Sequence, residues 1–263
     1  MFKDQDIQII AFDADDTLWE NEPYFREADA LFCDLLKEHL PPHVVSQLIL
    51  ESQVKNLPLY GYGVKGLVLS MIETLGEITN GKADFAMVEK VMEFGKTILN
   101  KPVVLLDGVT EVLESLRGHY RLVVATKGDL LDQERKLKNS GLLDYFHHIE
   151  IMSNKKVADY RKLLKHLDCK PENFMMIGNS LRSDILPVLE LGSNAIHIPF
   201  HITWAHEMVE EVPVSDQFMQ LDSISELEKI VFIDKVEKGL EQLNTGNTIS
   251  HTQVKEDVKH FGK

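Results

Sequence analysis

Three acids and a threonine follow directly on an apolar run at Ile9-Ile10-Ala11-Phe12-Asp13-Ala14-Asp15-Asp16-Thr17-Leu18. Carboxylates crowded at the end of a strand repel one another, and holding them together is costly unless a cation neutralises them. A hard, oxygen-seeking ion such as Mg²⁺ meets that need. Asp13 and Asp15 are two apart, so at a strand end they can point the same way and divide two tasks, attack and proton transfer. An acidic loop that caps the next helix is the plainer alternative.

Three further segments put oxygen- or nitrogen-bearing side chains where an apolar run stops. In Leu122-Val123-Val124-Ala125-Thr126-Lys127-Gly128, Thr126 can donate to a phosphoryl oxygen or cap a helix. In Met152-Ser153-Asn154-Lys155-Lys156 a lysine can neutralise developing phosphate charge or stand in a solvated basic pair. In Met175-Met176-Ile177-Gly178-Asn179-Ser180-Leu181-Arg182-Ser183-Asp184, Asp184 falls in the first turn of a helix, as a ligand or as a partner of the helix dipole.

The elements that would position these residues alternate along the chain. Ile/Val-rich runs at 7–12, 122–125, 148–152, 174–177 and 194–198 read as buried parallel strands. Helical spacing covers 109–117, 130–139, 157–167 and 181–191, which predicts an α/β, Rossmann-like doubly wound parallel sheet. About 85 residues separate the first strand from the next core helix, far more than an ordinary connection. Helical apolar spacing at 23–40, 43–55, 64–79 and 85–99 makes this insert an all-helical cap. The expected division is a core of 1–18 and 106–231, a cap of 19–105, and a C-terminal helical extension at 232–263. A closing core helix is expected over 221–230, and Ser250 with Gln253 suits a capping box opening a last helix.

Taken together, the order, spacing and strand-end placement of the four segments resemble the motifs of the haloacid dehalogenase superfamily. The resemblance spans about residues 7 to 200. It implies that Asp13 is the nucleophile and Asp15 the acid/base, with Thr126 and Lys155 holding the phosphoryl group. It also implies Mg²⁺ bound by Asp13, the backbone carbonyl of Asp15, and the loop bearing Asn179 and Asp184. The family often has Asp where this chain has Asn179, so which of 179 and 184 ligates directly stays open. Lys155 is chosen over Lys156 by its spacing to Tyr160. A halide leaving group needs no proton donor whereas an alkoxide does, so Asp15 favours a phosphate ester over a haloacid.

Gly61-Tyr62-Gly63-Val64-Lys65-Gly66 has the dinucleotide-binding spacing, but Asn56-Leu57-Pro58-Leu59-Tyr60 before it is no strand. The loop reads better as the cap's share of the substrate pocket, with Tyr60, Tyr62 and Lys65 facing the core site, where Lys127 joins Thr126 and Lys155 as a candidate substrate-binding residue. A response-regulator receiver would place its phosphorylated acid on a middle strand and be shorter than 263 residues. A non-catalytic scaffold acting through its tail is the third alternative. His197, His201 and His206, spaced four and five apart, share no helical face and read as loop residues.

Composition narrows the partners. The formal net charge of -14 disfavours nucleic acid and anionic membranes, so small-molecule substrates fit better than polymers; the family resemblance implies a small phosphorylated metabolite. The two cysteines, Cys33 and Cys169, form no disulfide or zinc pattern. An acidic N-terminus without a long apolar run points to the cytoplasm. A homodimer contact through the tail is compatible with all of this.

Overall fold

The computed structural model describes residues 6–228. Six strands form one all-parallel sheet in the order β3-β2-β1-β4-β5-β6. They are β1 (Ile9–Phe12), β2 (Arg121–Lys127), β3 (His148–Met152), β4 (Phe174–Gly178), β5 (Asn194–His197) and β6 (Phe218–Gln220). β1 and β4 are buried throughout because helices cover both faces of the sheet, which explains their unbroken apolar runs. One face packs Phe12, Val124 and Ile177 against α5 (Val109–Leu116). The other packs Ala11, Val123 and Met176 against α7 (Val157–His166), with Tyr160, Leu163 and Leu164 buried between them.

Between β1 and α5 lie four helices: α1 (Glu22–Leu35), α2 (Pro42–Tyr60), α3 (Val64–Ile78) and α4 (Phe85–Leu99). They share their own hydrophobic cluster, with Phe32, Ile49, Met71 and Val91 buried at its centre. Asp16 starts the departure from the core. Its φ of 61° turns the chain, and its carboxylate accepts from the backbone N–H groups of Asn21 and Glu22 at the start of α1.

Several expected boundaries move. α2 continues beyond residue 55 through Pro58 to Tyr60, and α1 stops at Leu35 rather than at 40. The segment at 181–191 divides into a π-helical turn, Leu181–Ile185, and α8 (Leu186–Glu190). Of the closing helix expected over 221–230, residues 221–225 are turn and loop just after β6, which pairs with β5, helical backbone covers 226–228, and 229–230 lie outside the described residues. Ile224 and Leu227 still bury into the core. The expected extension at 232–263 lies outside the described residues. No helix among the described residues is long and apolar enough to cross a membrane.

Candidate functional site

The strand order reverses between β1 and β4, and in such sheets ligands bind beyond the carboxyl ends of the strands at that point. Asp13 follows β1 there, and its backbone N–H is held by the carbonyl of Ile177 on β4, 2.9 Å away. Parallel register brings Thr126 of β2, Lys155 after β3 and Asp184 after β4 to the same end of the sheet. All four are buried, and all line one cavity between the core and the four helices.

Lys155 is the hub of this cluster. Its Nζ donates to a carboxylate oxygen of Asp13 and to Oδ1 of Asp184 at 2.7 Å. Burial alone would lower the pKa of its ammonium, but the two carboxylates outweigh that and hold it raised. For Asp13, burial raises the pKa most and the charge of Asp184 adds to it, while Lys155 pulls it back, leaving it at about 7. Two carboxylates therefore share one ammonium in a buried site. That deficit of positive charge, with the oxygens of Asp13, Asp184 and Asn179 on adjoining strand ends, fits a hard divalent cation. Close packing has prepared the spot: a Cβ on Gly178 would stand 2.4 Å from Oδ2 of Asp184, so only glycine lets that carboxylate fold back over β4. Asp184 is further fixed by the Ser180 N–H at 3.0 Å, and Asn179 Oδ1 accepts from Thr17 Oγ1 at 3.3 Å.

Asp15 is held on the other side of the cavity by three donors. Trp19 Nε1 and Lys136 Nζ reach Oδ1 at 2.7 Å each, and Gln133 Nε2 reaches Oδ2 at 2.9 Å. Gln133 also donates to Thr126 Oγ1 at 3.1 Å and to the Lys127 carbonyl at 2.9 Å, tying the acid to the end of β2. Gln133 and Lys136 both lie on α6 (Leu130–Ser140), three residues apart and so on one face. Sequence reasoning missed both, because a polar helix face carries no mark of what it will meet.

It also missed Glu207, in the single turn Ala205–Glu207. Glu207 accepts from Lys127, from Ser180 Oγ at 2.5 Å and from Ser183 Oγ at 2.6 Å. Burial alone would raise its pKa, yet the Lys127 charge and these hydrogen bonds bring it down to about 2. Lys127 is consequently committed to Glu207 and to Ser183. Its Nζ also lies 4.3 Å from the centroid of the Tyr62 ring.

Of the insert residues expected in the pocket, Tyr62 lines the cavity and meets Trp204 edge-on at 6.2 Å between centroids. Tyr60 reaches the cavity wall, but its hydroxyl donates to Glu73 at 2.6 Å. Lys65 departs from expectation. It lies outside the cavity lining and pairs with Asp129 of the core at 3.0 Å, because the first turn of α3 carries it to the seam. Gly61-Tyr62-Gly63 joins two helices with no strand before it, which leaves no dinucleotide fold. His197 hydrogen-bonds with Gln220 and the Asn179 carbonyl, apart from His201 and His206.

The family model for haloacid dehalogenase-like hydrolases matches residues 7–192, and the chain belongs to this family. The chain is 24% identical over 238 residues to the glyceraldehyde 3-phosphate phosphatase of Methanothermobacter thermautotrophicus, covering 83% of this chain and 99% of that protein. It is 26% identical over 199 residues to the pyrimidine 5'-nucleotidase YjjG of Escherichia coli, covering 70% and 82%. A haloacid dehalogenase-like family hydrolase from Xanthomonas campestris has a similar structure, with a TM-score of 0.78 and 36% identity over 91% of this chain and 97% of that one. A hydrolase from Bacillus subtilis solved with magnesium shares the fold at a TM-score of 0.59 and 18% identity, over 86% and 98%.

Proposed function

We propose that this hydrolase cleaves phosphate monoesters of small metabolites, with Asp13 as nucleophile, the four inserted helices as a cap, and Mg²⁺ held by Asp13, Asp184, the Asp15 carbonyl and the Asn179 side of the loop. The observation that carries the reading is the pairing of Asp13 with Asp184 across a single lysine, beside a second acid two residues on. When bound, Mg²⁺ lessens the repulsion between the anionic phosphate and the anionic nucleophile.

An Asp13 carboxylate oxygen attacks phosphorus, and the bond from phosphorus to the ester oxygen breaks. Asp15 gives its proton to the departing oxygen, completing an alcohol. The aspartyl phosphate is then opened by water attacking phosphorus. Asp15 takes the proton from that water, and inorganic phosphate leaves with Asp13 restored. Lys155 and the Thr126 hydroxyl balance the charge gathering on the phosphoryl oxygens.

The wall of the cavity supplied by the helices supports a narrower substrate class. Glu22 and Asp29 line it, and no lysine or arginine of the four helices does so among the described residues. Burial raises Glu22 to about 7 and Asp29 to about 6, although the guanidinium of Arg26, 2.9 Å from Glu22, pulls both back. Asp29 Oδ1 is a buried acceptor that receives no hydrogen bond from the described residues. A leaving group with hydroxyl or ammonium donors complements this wall, and one with a carboxylate or second phosphate does not. The relatives named for glyceraldehyde 3-phosphate and pyrimidine nucleotides accord with an uncharged organic part.

The test is phosphate release from a panel of monoesters with Mg²⁺, run beside Asp13→Asn. Turnover of neutral polyhydroxy or nucleoside monophosphates, lost in the variant, is expected. Activity confined to carboxylate-bearing esters would overturn the substrate class, and no release from any ester would overturn the reaction.

A further inference from the structure

β3 is an edge strand, and His148 and Glu150, two apart, face the same side of it. The register sets them beside Val123 and Ala125 of β2, which belong to the cluster packed under α7. The next residue on that face, Met152, is apolar and buried in the cluster, so the face turns polar only at its outer end. His166, the last residue of α7, comes down on the same spot. Glu150 Oε2 stands 2.9 Å from His148 Nε2 and 3.5 Å from His166 Nδ1, and one donor atom from each of the three lies within 4.8 Å of the others. The two imidazole rings are 5.0 Å apart and nearly perpendicular.

We propose that His148, Glu150 and His166 form a second metal site, specific for a borderline divalent ion such as Zn²⁺. Tetrahedral zinc with bonds of about 2.0–2.2 Å to nitrogen and oxygen sets its ligands roughly 3.3–3.6 Å apart; the 3.5 Å from Glu150 to His166 lies inside that range, and the 2.9 Å to His148 is a hydrogen bond that an ion would open slightly. Imidazole nitrogen selects Zn²⁺, Co²⁺ or Ni²⁺ over Mg²⁺, which separates this site chemically from the carboxylates around Asp13. The side chains of His148, Glu150 and His166 are 27%, 32% and 67% exposed, which leaves water to complete the coordination and lets the ion exchange. The site joins the outer part of β3 to the far end of α7, and Lys155 sits in the loop between these two elements. An ion there closes the open end of the unit that carries Lys155 and stabilises it without entering the reaction.

The test uses the untagged full-length chain, stripped with chelator and then held in excess Mg²⁺ so that the Asp13 site is satisfied. Co²⁺ is titrated while its visible absorption and the heat of binding are followed. One equivalent with a tetrahedral spectrum is expected. His166→Ala and Glu150→Gln should each weaken it at least about tenfold while keeping Mg²⁺-dependent phosphate release. His166→Gln guards against a folding effect, and a thermal melt of each variant checks that it is intact. Unchanged affinity in intact His166 and Glu150 variants, or a cobalt spectrum abolished by Mg²⁺ alone, would overturn the site. Failure of phosphate release in the wild type would count against the proposed reaction and leave the metal titration still readable.

Discussion

Lys136 Nζ stands 2.7 Å from Oδ1 of Asp15 and 2.9 Å from Oδ1 of Asn21, so one ammonium joins the acid beside Asp13 to the residue that precedes the inserted helices. With Gln133 and Trp19 it fixes the plane and position of the Asp15 carboxyl group. Under the proposed mechanism Lys136 is thus a positioning residue.

Replacing Lys136 with Met should lower kcat by roughly tenfold to a hundredfold with little change in KM, since misplacing a reacting group by about 1 Å costs on that order. The pH–rate profile should move as well, because an ammonium is removed from the site. Lys136→Arg should recover part of the rate because the positive charge is kept. A loss confined to KM, with an unaltered pH profile, would show that Lys136 acts on substrate binding alone.

Lys155 has 1% of its side chain exposed and serves two buried carboxylates, so removing it strands both. Lys155→Met should destabilise the protein by about 3–5 kcal/mol in chelator, the usual cost of breaking a buried ion pair. Mg²⁺ should raise the melting temperature of the wild type, and at about a hundredfold over its Kd the gain amounts to about 2.7 kcal/mol. Part of the loss in Lys155→Met should return with Mg²⁺. Urea unfolding with and without the metal measures both effects, and equal stability of the two proteins in chelator would contradict the pairing.

At the seam between insert and core, Lys65 and Asp129 form a half-exposed pair, which is worth at most about 1 kcal/mol. Lys65→Ala should therefore raise KM by no more than a few-fold, alike for every ester, and leave the order of substrate preference intact. Tyr62→Ala is different because the ring lines the cavity and covers Lys127. It should change the preference among esters. Relative kcat/KM values across the same panel distinguish the two, and a preference altered by Lys65→Ala would place that side chain against substrate after all.

The residues that could be read from the sequence share a physical cause. Parallel strands need crossover connections, so all their carboxyl ends come to one edge, and polar residues just past an apolar run must meet there. Asp13, Thr126, Lys155 and Asp184 fall under that rule, and they do meet. Gln133 and Lys136 do not, because they sit inside a helix whose polar face looks solvated until Asp15, more than a hundred residues earlier, is folded against it. Glu207 occupies a one-turn element without periodicity, and β6 is three residues long, too short for alternation to register. Lys65 and Tyr62 come from one loop and part for a related reason: the start of α3 takes Lys65 to Asp129 at the seam, while Tyr62 lines the cavity.

Glu207 also makes the site's acid sensitivity predictable. Its carboxylate ordinarily titrates near 4.5 and in the folded protein at about 2, so the native state holds the ionised form. A depressed carboxylate contributes stability that is fully present above the unfolded value and is lost as the pH falls from there through about 2. Glu207→Gln removes the charge facing Lys127 and weakens the grip on Ser180 and Ser183. The variant should be less stable than the wild type near neutral pH, and the gap should narrow steadily between about pH 4.5 and pH 2. Chemical unfolding at several pH values tests this directly. A gap that stays constant on acidification would mean that Glu207 acts through packing and not through its charge.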